Sequence, residues 1–110
     1  MIHEYYKELQ NNQNIRENLS LLRSECKDPQ ETLLSLVGDG ALLTGLLESD
    51  EPKVRKNAAL LLGSLGLLQT AGSLFHAYER EQTLFVRSAY LTALSGMEVS
   101  PYLEALKEHR

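Results

Sequence analysis

The chain has 110 residues, about the length of one domain, and a formal net charge of −4 at pH 7. It contains 23 leucines against 6 isoleucines and valines together, and because leucine favours helices and β-branched residues favour strands, this excludes a β-rich fold. A hydrophobic share of 43% excludes a disordered chain, and the acidic balance argues against a strongly basic nucleic-acid binder.

Apolar periodicity and turn residues predict eight helical segments along the chain. Between Val54 and Leu65, residues that are apolar except for Asn57 recur at the i, i+3, i+4 and i+7 spacing of one helix face. The glycines at 38 and 40 end one segment, and Pro52 and Pro101 lie where others begin. The predicted helices cover about 2–11, 14–25, 29–37, 40–48, 53–65, 70–80, 84–96 and 101–109.

Two parts of the chain repeat one another at a separation of 32 residues, and we call this separation the repeat offset. Residues 54–65 align with 86–97: both begin Val-Arg, continue with small residues one turn later and end in apolar residues. The same offset carries the apolar residues of 42–46 onto those of 74–78, so a unit of two helices repeats. A weaker third copy begins at Ile15. Because one helix pair cannot bury this much leucine alone, the pairs are expected to stack.

The repeat resembles the HEAT-like unit of bacterial α-solenoid proteins, in which a leucine pair and an aspartate precede Val-Arg, Ala-Ala and Leu-Gly steps. The second copy departs from that pattern, with Gln82 in place of the aspartate and Ser95 in place of a glycine. The matching residues are Leu46-Leu47, Asp50, Val54-Arg55, Ala58-Ala59, Leu62-Gly63 and Leu65-Gly66.

The resemblance implies an all-α, right-handed α-solenoid of seven or eight helices, arranged as stacked antiparallel pairs with a period of about 32 residues. The chain, 1–110, is then one repeat domain. Its last segment would be the first helix of a unit with no second helix after it, as in a chain cut from a longer protein, and the sequence leaves open whether the natural protein continues beyond Arg110. The expected units cover about 1–25, 29–66 and 70–97, with an incomplete unit at 101–110.

Arginine recurs at one position of each repeat, as Arg16, Arg55 and Arg87. A row of arginines could bind an acidic peptide or a phosphate backbone. Alternatively, as the HEAT-like resemblance implies, each arginine bonds a turn acid or a carbonyl of a neighbouring unit and so forms a structural ladder. The second interpretation is favoured, with Asp50 as the expected acid for Arg55 or Arg87.

Several side chains of the two Val-Arg helices are predicted to form a partner-binding surface. An unburied leucine row would make a peptide-binding groove, and lysines at a helix start could bind anions. The alternative, which is favoured for both features, is that the lysines are a solvated face and that the leucines Leu60, Leu67 and Leu91 pack against an adjacent unit. The candidate residues are Lys53, Lys56, Leu60 and Ser64 from one unit and Ser88, Leu91 and Ser95 from the next.

No residue pattern predicts catalysis, a metal or a cofactor. His3, His76 and His109 are scattered, whereas a zinc site needs three or four close ligands. Cys26 has no histidine nearby in sequence. With one cysteine and no secretory signal, the chain is expected in the cytoplasm. The long uncharged stretch 57–78 contains polar residues and glycines, which favours a helix–turn–helix over a membrane span.

The expected function is therefore that of a noncatalytic HEAT-repeat scaffold or adaptor that binds a protein or peptide. Direct nucleic-acid binding is possible but disfavoured by the net charge, and no membrane partner is expected. A weaker similarity of the whole chain suggests an alternative. The chain is similar to the N-terminal HEAT regions that precede the catalytic domain in some larger proteins, among them SAM-dependent RNA methyltransferases. In that case it would position the substrate or partner of a larger enzyme.

Overall fold

The computed structural model describes residues 2–11, 13–25, 35, 37–38 and 40–97. Six α-helices of defined extent and one 3₁₀ turn lie in these ranges, with no β-strand among them, which confirms the all-α prediction. The predicted helix at 29–37 falls largely outside the described residues, and the one at 101–109 entirely so. The helices are α1 (Ile2–Gln10), α2 (Ile15–Glu25), α3 (Ala41–Leu46), α4 (Pro52–Leu65), α5 (Ala71–Arg80) and α6 (Leu84–Met97), and the 3₁₀ turn is Leu68–Thr70.

Helix α3 is shorter than the predicted segment 40–48, for a local backbone reason at each end. Gly40 precedes it with a φ of 81°, a left-handed conformation that cannot continue an α-helix. After Leu46 the hydrogen bonds tighten: the amide of Leu47 donates to Thr44 O at 3.1 Å and that of Glu48 to Gly45 O at 3.2 Å. These bonds span three residues instead of four, so the chain turns away from the helix axis.

Helix α4 has the boundaries that its sequence signals predict. Pro52 is its first residue, where the missing amide hydrogen costs no hydrogen bond. Gly66 ends it with a φ of 66°, and its amide lies 3.1 Å from the carbonyl oxygens of both Leu62 and Gly63. This left-handed termination satisfies carbonyls that the helix end would otherwise leave free.

The helices pack as a series of neighbouring pairs. α1 packs on α2, α3 on α4 and α5 on α6, so each longer helix is covered by the one before it in the chain. The longer helices also contact one another in order, because α4 packs against both α2 and α6. The core between them is dominated by leucine, alanine and valine, with Tyr6, Tyr78 and Tyr90 buried at its edges.

The burial of α4 and α6 follows the repeat offset found in the sequence. Six buried positions of α4 have a buried counterpart at that offset in α6, and the two helices therefore present equivalent faces to the core. One polar member of this set, Asn57, is buried because its amide oxygen accepts a hydrogen bond of 2.8 Å from Arg23 of α2. The paired positions are Val54 and Val86, Asn57 and Ala89, Ala58 and Tyr90, Leu61 and Ala93, Leu62 and Leu94, and Leu65 and Met97.

The contact between α4 and α6 depends on a glycine. A Cβ atom added at Gly63 would lie 2.6 Å from the Cα and 2.8 Å from the Cβ of Ala93. Both distances are far below van der Waals contact, so the two helix backbones approach as closely as a glycine–alanine pair allows. The glycine of the predicted Leu-Gly step is therefore a packing residue in the middle of an interface.

Candidate functional site

The arginine ladder was the most specific expectation for these helices, and Arg55 shows how it is built. Its guanidinium forms two parallel hydrogen bonds with Glu81, from Nε to Oε1 at 2.8 Å and from Nη2 to Oε2 at 3.0 Å. Its remaining nitrogen, Nη1, donates to the carbonyl oxygen of Ser49 at 2.8 Å. Asp50 was the wrong choice of acid: the carboxylate that Arg55 binds belongs to the following interhelical turn.

Arg87 repeats one of these contacts at the same offset. Its Nη1 donates to the carbonyl oxygen of Glu81 at 2.9 Å, and residues 87 and 81 are separated by the same six positions as 55 and 49. The same nitrogen lies 3.2 Å from the carbonyl oxygen of Tyr78, and the guanidinium stacks 4.2 Å from the centre of the Tyr78 ring. Arg87 thus binds the carbonyl ends of the preceding helix and turn, and it pairs with no Asp50 carboxylate.

Arg16 occupies a different environment. Its Nη1 lies 3.9 Å from Oε1 of Glu51, and both side chains are more than half exposed to solvent. A pair of this length and exposure contributes little to stability. The three repeat arginines therefore divide into two that are bound inside the fold, Arg55 and Arg87, and one on the surface.

Glu81 is the centre of a small polar cluster at the α5–α6 turn. It is only 9% exposed, and its carboxylate accepts hydrogen bonds from Arg55, from the hydroxyl of Tyr90 at 3.3 Å and from the backbone amide of Thr83 at 3.2 Å. Burial by itself would raise the pKa of Glu81, but the hydrogen bonds from Arg55 and Thr83 outweigh burial and hold it below the usual carboxyl value. Glu81 is therefore ionised at neutral pH.

The partners of Glu81 are held in fixed protonation states as well. The hydrogen bond with Glu81 raises the pKa of Arg55 above its already high value. Burial, followed by the negative charge of Glu81, raises the pKa of Tyr90 to about 12. None of these groups titrates near neutral pH, so the cluster has no member suited to general acid–base catalysis there.

An open cleft of about 610 Å³ lies beside this cluster, between the α3–α4 and α5–α6 turns. Its deepest polar groups, Arg55, Glu81 and Tyr90, are already bonded to one another. Its rim includes Glu48 and Arg80, whose charged atoms are 3.8 Å apart. The cleft therefore presents no unpaired buried donor or acceptor to a ligand, and we interpret its polar cluster as structural.

The predicted partner surface lies on the side of α4 and α6 that faces away from the core. Leu67 is 7% exposed and belongs to the core, in agreement with the favoured interpretation that it packs. Leu60 and Leu91 are half-buried, so each contacts the core and still reaches the surface. Lys56 is also half-buried, and the fully exposed members are Lys53, Ser64, Ser88 and Ser95.

Phe85 is a surface residue that sequence reasoning missed. It lies in the first turn of α6 and is 47% exposed, an unusual state for a phenylalanine. The repeat could have indicated its exposure, because the repeat offset places Phe85 at the position of Lys53, a predicted surface residue of α4. We call the surface formed by Lys53, Lys56, Leu60 and Ser64 of α4 and by Phe85, Ser88, Leu91 and Ser95 of α6 the α4–α6 face.

The α4–α6 face has a one-sided charge. Neither α4 nor α6 contains an aspartate or glutamate. Lys53 and Lys56 are both in the first turns of α4, and no ion pair or hydrogen bond of their side chains is found within the described ranges. In a chain with a net charge of −4, this surface is locally positive.

Residues considered for catalysis or metal binding are not brought together where the structure describes them. His76 is exposed and its Nδ1 lies 3.6 Å from Oε1 of Glu79, one turn along the same helix. Over the ranges 2–11, 13–25, 35, 37–38 and 40–97, no three His, Cys, Asp or Glu side chains converge to hold a metal ion. Cys26, His109 and the side chain of His3 lie outside the description.

Two further observations bear on the class of protein. Within the described part of the chain, each helix is too short or too polar to cross a bilayer. Comparison with protein-family models, with curated proteins and with solved structures finds no match to the chain. The resemblance to HEAT-like repeats therefore stays a prediction from the sequence.

Proposed function

We propose that this chain is a noncatalytic, HEAT-like α-solenoid segment that serves as a scaffold and binds a protein partner through the α4–α6 face. The binding proposal is supported by the position of this face on the outer sides of α4 and α6. Two adjacent helices bury equivalent sides in one core and leave unpaired lysines, a half-buried leucine and an exposed phenylalanine together on their outer sides. Apolar side chains among unpaired charges are typical of protein contact sites.

The solenoid part of the proposal is supported by repetition at three levels. Sequence, burial and a specific arginine–carbonyl contact all recur at the repeat offset. In a solenoid each unit contacts only its neighbours, so an extra unit can be accommodated. A tandem duplication of residues 50–81 should therefore fold cooperatively, with a helical content increased in proportion. Loss of cooperative unfolding in the duplicated chain would argue for a closed helical bundle.

Site-specific photo-crosslinking tests the binding part of the proposal. We expect benzoyl-phenylalanine at Ser64 of α4 to cross-link a protein partner in cells. The same group at Ser73, an exposed serine of α5 outside the face, should not. The cross-link should disappear when Lys56→Ala and Leu60→Ala are combined, with cooperative unfolding retained. Equal cross-linking at both serines, or a cross-link indifferent to the double substitution, would place the contact elsewhere.

A further inference from the structure

We infer that the ligand of the α4–α6 face is an acidic protein segment whose carboxylates pair with Lys53 and Lys56 and whose apolar side chains contact Leu60 and Phe85. This inference depends on the proposed binding function and names the chemistry of the partner. The distribution of charge along α4 is the first observation that supports it.

The first turns of α4 carry cations where helix stability favours anions. The amino-terminal end of a helix is the positive end of its dipole, so acidic residues stabilise it and basic ones do not. Helices α1 and α2 follow this rule with Glu4 and Glu17, and α3, α5 and α6 have no acidic residue in the first turn, whereas α4 begins Pro-Lys-Val-Arg-Lys directly after its N-cap residue Glu51. The cations of α4 are therefore not explained by the stability of the helix.

One of these cations has a structural role and the other two do not. Arg55 is bound to Glu81 and to a turn carbonyl, which accounts for its charge. Lys53 and Lys56 have no such partner among the described residues, and the nearest acid in sequence, Glu51, lies close to Arg16 instead. Their ammonium groups are free to bind carboxylates, in a surface that has no acidic residue of its own on either helix.

The apolar residues of the face lie on the same outer sides of α4 and α6 as these lysines and their counterparts. Leu60 is one turn after Lys56 on the same side of α4, and Phe85, in the first turn of the neighbouring helix α6, has the position that corresponds to Lys53. A ligand that pairs with both lysines therefore also meets Leu60, and one that extends across to α6 reaches the aromatic ring of Phe85. A peptide with acidic and large apolar residues fits this combination. Binding of a nucleic acid, which depends on many basic contacts to the phosphate backbone, is disfavoured by the net charge of −4.

Selection from random peptides tests the inference without a known partner. A library of short random peptides, displayed on phage, is selected on the full chain and depleted on the Lys56→Glu variant. We expect enriched sequences to be acidic and to contain at least two leucine, isoleucine, methionine or phenylalanine side chains. The affinity of one enriched peptide is then measured by fluorescence anisotropy, together with that of a single-stranded oligonucleotide of mixed sequence.

The matched control is Lys7→Glu, which makes the same change of charge at an exposed lysine of α1. Peptide binding should weaken about tenfold or more in Lys56→Glu, change less than about twofold in Lys7→Glu, and weaken as salt rises. Neutral or basic enriched peptides would overturn the inference but leave the proposed function standing if the Ser64 cross-link forms. Tighter binding of the oligonucleotide, or no selected peptide, would also overturn it, and a missing cross-link would overturn both.

Discussion

The close approach of α4 and α6 makes a sharp prediction at Gly63. Replacing a glycine with alanine inside a helix normally stabilises the helix by about 1 kcal/mol. At this position, however, the new Cβ would lie 2.6 Å from the Cα of Ala93. Carbon atoms in contact are about 3.5–4.0 Å apart, so the added methyl group is about 1 Å too close to a backbone atom of the partner helix.

The clash outweighs the gain in helix propensity because no rotamer change relieves it. Overpacking of this kind costs about 1–3 kcal/mol, and more where a backbone must move. Subtraction of the propensity gain leaves a loss of up to about 2 kcal/mol, and because the closest atom belongs to the backbone of Ala93 we expect Gly63→Ala to fall in the upper half of that range, at about 1–2 kcal/mol. For a domain of this size, each 1 kcal/mol lowers the melting temperature by about 4–8 °C.

Two other helical glycines supply the controls. A Cβ at Gly45 of α3 meets nothing within 4 Å, and one at Gly96 of α6 meets only the carbonyl oxygen of Gly63, at 3.9 Å. Gly45→Ala and Gly96→Ala should therefore raise the free energy of unfolding, by up to about 1 kcal/mol. Urea denaturation of the four proteins, followed by circular dichroism, measures all of these values.

The ordering of the variants is the critical result. Gly63→Ala must be less stable than the wild type, while Gly45→Ala and Gly96→Ala must be at least as stable as the wild type. If Gly63→Ala instead gains stability like Gly45→Ala, the backbones of α4 and α6 do not approach as described. The correspondence of their buried faces at the repeat offset would then have to be reconsidered.

The remaining predictions concern charge. Glu81→Gln should cost about 1.5–3 kcal/mol, because it replaces hydrogen bonds between charged groups and leaves the guanidinium of Arg55 without its counter-ion; Glu81→Asp, which keeps the charge on a shorter side chain, should cost less. Since the pKa of Glu81 is lowered in the fold, its stabilisation is complete above the unfolded carboxyl pKa of about 4.3 and is lost as the pH falls through the lower folded value. The difference in stability between wild type and Glu81→Gln, measured by urea denaturation from pH 7 to pH 3, should shrink over that acidic range; a constant difference would contradict the assigned role of the carboxylate. Lys53→Glu should stabilise the chain by about 0.3–1 kcal/mol at low salt, since it matches the helix dipole, and Lys56→Glu, which lies just beyond the first turn, should stabilise it by less. A clear loss of stability at low salt would contradict the view that these lysines are unpaired.

The long helices were predictable because several local signals agree there. Pro52 and Gly66 bound α4, the apolar period defines its buried side, and the repeat gives the same answer for α6. Helix α3 was predicted too long because the tightening of its last turn is not visible in leucine-rich sequence, where apolar residues continue past the helix end. For Leu67 the sequence left both a surface and a packed position open, because it follows the helix-ending Gly66 and helical spacing does not show which way it faces.

The identity of the acid that binds Arg55 could not be read from the sequence. The repeat register places Gln82, not Glu81, at the position of Asp50, so the alignment gave no reason to choose the residue beside it. The pairing depends on how the α5–α6 turn lies against the start of α4, which is a property of the packed helices. Glu81 in sequence is one of 15 acidic residues, and only its burial distinguishes it.

The cations at the start of α4 show why stability and binding must be measured together. Arg55 and Lys56 are adjacent in sequence, yet the first is enclosed by a carboxylate and a carbonyl while the second faces outward without a partner in the described structure. Loss of the Arg55 ion pair should destabilise the fold, whereas reversal of the Lys56 charge should stabilise it and weaken peptide binding. If Lys56→Glu raises the stability of the fold but lowers its affinity for the peptide, the lysine is retained for what it contacts outside the chain. If Lys56→Glu lowered both stability and affinity, the weaker binding would follow from a loss of structure.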